Sequence, residues 1–304
     1  MFDALFRDRG LSLDRLRTFC MVAEADGVTK AAGKNANRQS QFSRQISELE
    51  RFFGIQLMER HGKGITLTPS GKRLIKIARE IFVQLEDFNS HYKSEPQRFS
   101  IGAGDALLQW LLFPNVGALQ KALPTVGIDV YGLPTLEIVD RITDLRLDFG
   151  LVRRDAIAPG QKFQSLGLEN YALFVPRQLL SSKKPQTVKE VIAKVPLTTI
   201  AGEGRFRASL QRQAQKDKLP LSFSLCCSTF PQAARALRSG RYAAILPTIA
   251  ADELDLTRFV TLPVPFLEPR EICLIWNPRS AKLRPQTNAV KDCLLMLLKF
   301  PSKD

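Results

Sequence analysis

Histidine is nearly absent from this chain: there are two, His61 and His91, far apart in sequence. That leaves little material for a histidine-based active site or a zinc site. Cysteine is sparse as well, five in 304 residues, at Cys20, Cys226, Cys227, Cys273 and Cys293. They form no metal-ligand pattern, and an odd number scattered over so long a chain suits a reducing compartment. The adjacent Cys226 and Cys227 read either as buried strand thiols or as a redox sensor. No apolar run approaches the roughly 18 to 20 residues of a membrane span. The opening residues, Met1 to Gly10, lack the apolar core of a secretory signal. The expected location is therefore cytoplasmic, with no membrane partner. Gly-x-Ser-x-Gly, Walker and dinucleotide-binding patterns are all missing. The expectation is a protein that is not an enzyme and needs no cofactor or metal. Low-complexity tracts and clear internal repeats are absent too.

Basic residues, by contrast, are in excess: 44 Lys+Arg face 30 Asp+Glu, a formal net charge of +14. Such a balance favours polyanionic partners such as nucleic acid. Residues 1–98 carry 17 basic against 12 acidic side chains, and the densest block, Arg15 to Arg79, carries 13 against 5. The remaining residues still hold 27 against 18, so charge alone does not locate a site.

The most informative stretch runs from Gln39 to Gly54. Its apolar residues Phe42, Ile46, Leu49 and Phe53 fall on one narrow stripe of a helix. Ser40, Arg44, Ser47 and Arg51 lie opposite. Asn37 is the expected cap and Gly54 the expected stop. Before it, residues 1–11 read as a loose leader. Ser12 caps a predicted helix from Leu13 to about Ala25, and a short second helix spans about Thr29 to Lys34. After it, two β-prone runs around Gly62-Lys63-Gly64 read as a hairpin. Helix, helix, helix, hairpin is the winged helix-turn-helix order. Pro69-Ser70-Gly71 then opens a long helix to about His91, with Leu74, Ile77, Ala78, Ile81, Phe82, Leu85 and Phe88 at 3-4 spacing. That pattern reads as a self-pairing helix of coiled-coil type, or more simply as a helix packed on its own domain. Residues 93–98 are polar, contain Pro96 and read as a hinge.

From Phe99 onward short strands alternate with helices. Candidate strands are 99–103, 127–132, 149–152, 171–175, 197–200, 221–227, 243–246 and 272–276. Helical stretches lie between them, including 107–123, 136–147, 206–216, 231–238 and 288–300. The alternation predicts an α/β domain with mainly parallel sheets, divisible into two lobes around a cleft. Ligands in such folds sit beyond the carboxyl ends of strands.

Leu16-Arg17-Thr18-Phe19, Thr29-Lys30-Ala31-Ala32, Ser43-Arg44-Gln45-Ile46, Leu49-Glu50, Gly54, Leu57, Glu59-Arg60 and Leu67-Thr68-Pro69-Ser70-Gly71, in that order and spacing, resemble the LysR-type transcriptional regulators. The match is dense over 12–91 and rests on length and element order over 99–304. The resemblance implies a winged helix-turn-helix over 1–69, a dimerising linker helix over 70–92 and a hinge over 93–98. Over 99–304 it implies a two-lobed α/β effector domain resembling periplasmic binding proteins. It further implies a double-stranded DNA operator as partner, self-association to a dimer or tetramer, contact with RNA polymerase and a small-molecule effector. Where the family usually has Ser-Gln-Pro-Ala-Leu-Ser-Arg-Gln-Ile, this chain has Arg38-Gln39-Ser40-Gln41-Phe42-Ser43-Arg44-Gln45-Ile46. Two inert positions have become hydrogen-bonding ones, and Arg38 adds a charge. Asn35 stands where a buried Leu is usual. With Gly33 and Gly27 nearby, a shorter, weaker second helix is expected.

In the winged fold the leading residues of the third helix approach base edges. Arg44 offers a bidentate fork to guanine and Gln41 a pair to adenine. Ser40 and Gln39 reach bases or phosphate, Ser43 and Arg38 suit the backbone, and Arg60 and Lys63 on the wing suit phosphate or the minor groove. For the effector, the resemblance points to Gly104-Asp105-Ala106, Arg153, Gly202, Arg205, Ser228-Thr229-Phe230 and Pro247. Asp105 reads either as a helix cap or as a partner for an amino group, and Arg153 as a ligand contact or a surface charge. The rival readings are an α/β enzyme with a DNA-binding head and a ligand-independent architectural or replication-associated DNA binder. Arg44→Ala is expected to cost about 1–3 kcal/mol at a cognate operator and to relax specificity at one position. Unchanged affinity in a footprinting titration would sink that assignment.

Overall fold

The computed structural model describes residues 3–7, 9–61, 64–93, 96–180, 187–202, 205–284 and 286–300. The chain divides into two compact units, residues 1–95 with 144–146 and residues 96–143 with 147–304. Among the described residues no helix is long and apolar enough to cross a membrane.

In the N-terminal unit, part of the expected loose leader is regular: Asp3–Phe6 is a helical turn, and Leu11 packs against the domain core. Ser12 then caps the helix Leu13–Glu24, its hydroxyl accepting from the Arg15 amide at 3.3 Å. The second helix is indeed short, Val28–Ala32, closed by Gly33 at φ 64°. The third begins earlier than the stripe suggests, at Ala36, and runs to Phe53. Its cap is Asn35 rather than Asn37, because Asn35 is extended and its side chain accepts from the Arg38 amide at 3.1 Å. The departure from the family's buried Leu thus has a local cause: the position serves the next helix. Gly54 stops this helix in the left-handed conformation, φ 64°.

The stripe divides between two cores. Leu49 joins Leu16, Phe19 and Leu57, whereas Phe42 and Ile46 join Val22 and Ala32. Strands β1 (Met58–His61) and β2 (Gly64–Leu67) pair antiparallel as the wing. Glu50 ties the wing to the third helix: its carboxylate accepts from the Leu57 and Met58 amides at 2.9 and 3.3 Å.

The long helix is Pro69–Tyr92, with Pro69 at the tolerated first position. Its apolar residues do not form one face. Leu74, Ile75, Ala78 and Phe82 pack on the domain core, while Ile77, Leu85 and Phe88 are exposed.

The C-terminal unit holds two five-stranded sheets. The first is ordered β4-β3-β5-β12-β6, from β3 (Gln97–Ala103), β4 (Val126–Gly132), β5 (Phe149–Arg153), β6 (Lys162–Glu169) and β12 (Arg270–Trp276). The second is β11-β7-β10-β8-β9, from β7 (Tyr171–Pro176), β8 (Leu197–Ile200), β9 (Phe223–Cys227), β10 (Ala243–Pro247) and β11 (Phe259–Pro263). Each sheet is mixed: two of its pairings are parallel and two antiparallel. The strand that runs against its companions is β12 in the first sheet and β7 in the second. Each is the strand by which the chain enters that sheet after crossing from the other, so the two crossovers account for the departure from parallel pairing. One buried cluster joins Phe99, Ile101 and Leu151 of the first lobe to Phe174, Leu246 and Leu237 of the second.

Other expectations shift locally. Gln97 and Arg98 belong to β3, not to a hinge, and Arg98 is paired with Asp129. The helix expected over 107–123 is interrupted: Asp105–Leu107 is α-helical, Leu108–Leu112 a π turn, Phe113–Asn115 a 3-10 turn and Val116–Ala122 α-helical again. Pro114, without an N–H, cannot join the regular ladder. Val188–Ile192 and Pro278–Leu283 are additional helices. Cys226 is exposed and Cys227 half-buried on the edge strand β9, so they are not buried strand thiols as a pair.

A methyl group at Gly71 would collide with the Leu57 carbonyl oxygen. Backbone there cannot yield cheaply, so Gly71→Ala is expected to destabilise the N-terminal unit by about 1–3 kcal/mol. Urea unfolding followed by circular dichroism measures the loss.

Candidate nucleic-acid interface and ligand cleft

Burial of Phe42, Ile46 and Leu49 turns the opposite side of the third helix to solvent, where Arg38, Ser40, Gln41, Ser43 and Arg44 are all exposed. The helix cannot roll, because Thr18 on the first helix donates to the Gln45 side chain at 2.6 Å. Gln39 differs from its neighbours. Its amide donates to the Gly33 carbonyl at 2.8 Å, so it closes the turn between the two helices rather than standing free. Arg38 lays its guanidinium over the Phe42 ring at 5.3 Å. Arg44 is 82% exposed and donates from Nε to Glu48 at 2.9 Å. Glu48 also takes Arg15, at 2.7 Å from Nε. One carboxylate therefore steadies two arginines from two helices, and their hydrogen bonds hold Glu48 below the usual carboxylate range. Arg60 lies on strand β1, and Lys63 falls outside the described residues.

The second site is a cleft of about 350 Å³ in the C-terminal unit. Gly104, Asp105, Ala106, Arg153, Arg205, Ser228, Thr229 and Phe230 line it. Gly202 and Pro247 do not. Gly202 is exposed on a left-handed turn at φ 89°, and Pro247 is buried at the end of β10, paired with Tyr171.

The floor of the cleft is not legible in the sequence. Glu169 ends β6, Tyr171 begins β7 and Arg270 begins β12, so all three stand at the crossovers between sheets. Glu169 is 6% exposed, and the Tyr171 hydroxyl donates to it at 2.6 Å. Burial pushes the Glu169 carboxyl up, against the Tyr171 hydrogen bond and the charges of Arg270 and Arg153. Tyr171 is itself raised, by burial and then by the charge of Glu169. Tyr171, Phe206 and Phe230 form an aromatic group, with ring centroids 5.1 Å apart for Tyr171–Phe206 and 4.8 Å for Phe206–Phe230. Arg205 of the second lobe pairs with Asp155 of the first at an exposed position.

Comparison with known proteins decides the family. Residues 93–299 match the LysR substrate binding domain, and residues 13–72 match the bacterial regulatory helix-turn-helix of the lysR family. The chain belongs to the LysR family. Among curated LysR-type relatives, the transcriptional regulator CysL of Bacillus subtilis is 26% identical over 196 residues, 63% of this chain and 66% of that protein. The chain spans about half to two thirds of the length of the curated relatives it matches. In fold it is similar to full-length OxyR of Pseudomonas aeruginosa, with TM-score 0.65 and 17% identity over 96% of this chain and 98% of that one. Full-length CbnR in complex with its target DNA gives TM-score 0.57 and 19% identity over 95% and 99%.

The Arg15–Glu48–Arg44 arrangement yields a pH signature. A carboxyl whose folded value is depressed contributes stability that is fully present above its unfolded value and is lost as pH falls through the folded one. Glu48→Gln is therefore expected to be less stable than the native chain at neutral pH, with the difference shrinking on acidification. Thermal unfolding of both proteins across acidic and neutral pH reads this directly, and a difference independent of pH would exclude the ion pair as its source.

Proposed function

We propose that this chain is a cytoplasmic, sequence-specific DNA-binding transcriptional regulator whose oligomeric arrangement on its operator is tuned by a small-molecule effector. The observation that carries this reading is the third helix: its core side is fully used, while Ser40, Gln41 and Ser43 are exposed beside the steadied Arg44. Hydrogen-bonding side chains at the leading end of such a helix are the means by which base edges are read in the major groove. Arg44 and Gln41 are assigned to bases, Ser40 to base or phosphate, Arg38 and Ser43 to the backbone, and Arg60 and Lys63 to phosphate or the minor groove. Gln39 acts chiefly by holding the turn. The relative whose structure contains target DNA is consistent with this use of the fold.

Self-association is assigned to the long helix. Ile77, Leu85, Phe88 and Tyr92 are 45%, 46%, 63% and 72% exposed and follow one another at helical spacing. An apolar stripe of that length is suited to burial against a second copy. A dimer so built gives two-fold DNA recognition, and further association to a tetramer and contact with RNA polymerase belong to the same reading. The effector is assigned to the cleft around Asp105, Arg153 and Phe230.

Selection of bound sequences from random DNA tests the proposal. The expected result is an enriched motif with two-fold character and salt-sensitive affinity. Binding without sequence preference would overturn it in favour of an architectural role. In the Leu85→Asp, Phe88→Asp double variant, sedimentation is expected to show a weakened dimer, and the two-fold footprint is expected to be lost.

A further inference from the structure

The regulator reading leaves the effector unidentified; resting on that reading, the chemistry of the cleft narrows the ligand. Among the described residues, two charges there, on Asp105 and Arg270, have no salt-bridge partner. Asp105 is exposed, and no hydrogen bond or ion pair with another described residue ends on its carboxylate. It does not cap its helix; the cap position is Gly104, with no side-chain bond. Gly132 leaves room for it, since a methyl there would come within 3.1 Å of Asp105 Oδ1. Arg270 carries the opposite charge. Its guanidinium lies 5.5 Å from the centres of both the Tyr171 and Phe206 rings, and it forms no salt bridge with a described residue. Arg153, with its side chain 21% exposed, has only a 3.8 Å approach to Asp155. Glu169 does not neutralise either arginine by direct contact; its hydrogen bond is to Tyr171.

Strand register sets the spacing of these charges. Ala103 on β3 pairs with Leu151 on the adjacent parallel β5. Asp105 and Arg153 each stand two residues beyond that pair, at the carboxyl ends of strands about 4.8 Å apart. Arg153 is in turn opposite Ile272, two residues from Arg270. The Asp105 carboxylate and the Arg153 and Arg270 guanidiniums thus border one small space, shared with the buried Glu169 and the Asp155-paired Arg205, and the Tyr171, Phe206 and Phe230 group with Ile200 supplies an apolar wall. At about 350 Å³ the cleft lies near the lower end of ligand pockets, which run roughly 300–1,000 Å³.

We infer that the cleft binds a free α-amino acid with an apolar side chain, its carboxylate on Arg153 and Arg270, its ammonium on Asp105 and its side chain against the aromatic wall. A simple carboxylate leaves Asp105 facing a like charge. A simple amine does the same to the arginines. In a partly desolvated cleft either mismatch costs more than it would in water.

Calorimetric titration of the full chain with L-phenylalanine and L-leucine, and with 3-phenylpropanoate and 2-phenylethylamine as truncated probes, tests the assignment. The expected result is saturable binding of at least one amino acid, with each truncated probe of phenylalanine weaker by about tenfold or more than the amino acid it derives from. Asp105→Asn is expected to abolish the preference of the cleft for phenylalanine over 3-phenylpropanoate, and Arg270→Gln to weaken both. Binding of 3-phenylpropanoate as tight as that of phenylalanine, or no binding of either amino acid, overturns the assignment. Selection from random DNA on the same preparation separates the two levels. An enriched operator with no amino-acid binding refutes the ligand class and leaves the regulator standing. Amino-acid binding with no enriched operator supports the ligand class and refutes the regulator.

Discussion

Burial of the stripe Phe42, Ile46 and Leu49 is the constraint on which the exposed side of the third helix depends. Those three side chains are 6%, 7% and 0% exposed, so the rotation of the third helix about its own axis is not adjustable. Everything polar on its leading end is placed by that fact. The surrounding hydrogen bonds refine it: Asn35 and Gln39 fix where the helix begins, Thr18 holds its flank and Glu50 fastens the wing beyond its end. The unusual residues at the leading end therefore alter what the helix offers on its exposed side without altering how it is held. Arg38 adds its stacking on Phe42, and Ser40 and Gln41 add hydrogen-bonding groups where the family usually has none.

Those features are legible in sequence because helical periodicity and capping chemistry are local. Four apolar positions over about three turns announce the third helix, and Ser12 and Gly54 punctuate it and its neighbour. The cap lies two residues earlier than the sequence suggests because Asn35 and Asn37 are chemically equivalent candidates, and only backbone geometry distinguishes them. The long helix is harder. Its apolar residues look like one broad stripe in sequence, yet Ala78 and Phe82 turn inward while Leu85 and Phe88 turn out. Packing on its own domain describes the first pair, and an exposed stripe the second.

The C-terminal unit is legible in its central strands and obscure at its crossovers. β6 lacks a clean alternation: Phe163 and Leu168 are exposed, Leu166 is buried, and Gly167 sits at φ 123° opposite a shift in register. Without β6 and β11 the outer antiparallel pairing of each sheet disappears from view, and with it the reason that Glu169, Tyr171 and Arg270 meet. These are residues at the ends of strands far apart in sequence. No local pattern joins Glu169 to Arg270; only the pairing of β6 with β12 does. Cleft residues that follow a predicted strand or open a predicted helix, such as Asp105 and Thr229, can be named from sequence. Residues of the floor cannot.

The crossovers also constrain movement between the two lobes. The two lobes share one buried cluster, so wide separation would expose Phe99, Phe174 and Leu246 to water. Movement that keeps this cluster buried is limited to small rotations about the crossovers, where Glu169, Tyr171 and Arg270 stand. A ligand shifts such an equilibrium only through contacts that differ between the two arrangements. One held by Asp105 and Arg153 on the first lobe and by Tyr171, Phe206 and Phe230 on the second would make its full set of contacts in one arrangement only. The exposed Arg205–Asp155 pair, which also joins the lobes, is worth little by itself at a surface. It leaves the balance to be set in the partly buried floor, where unpaired charge is costly and neutralising it is correspondingly effective.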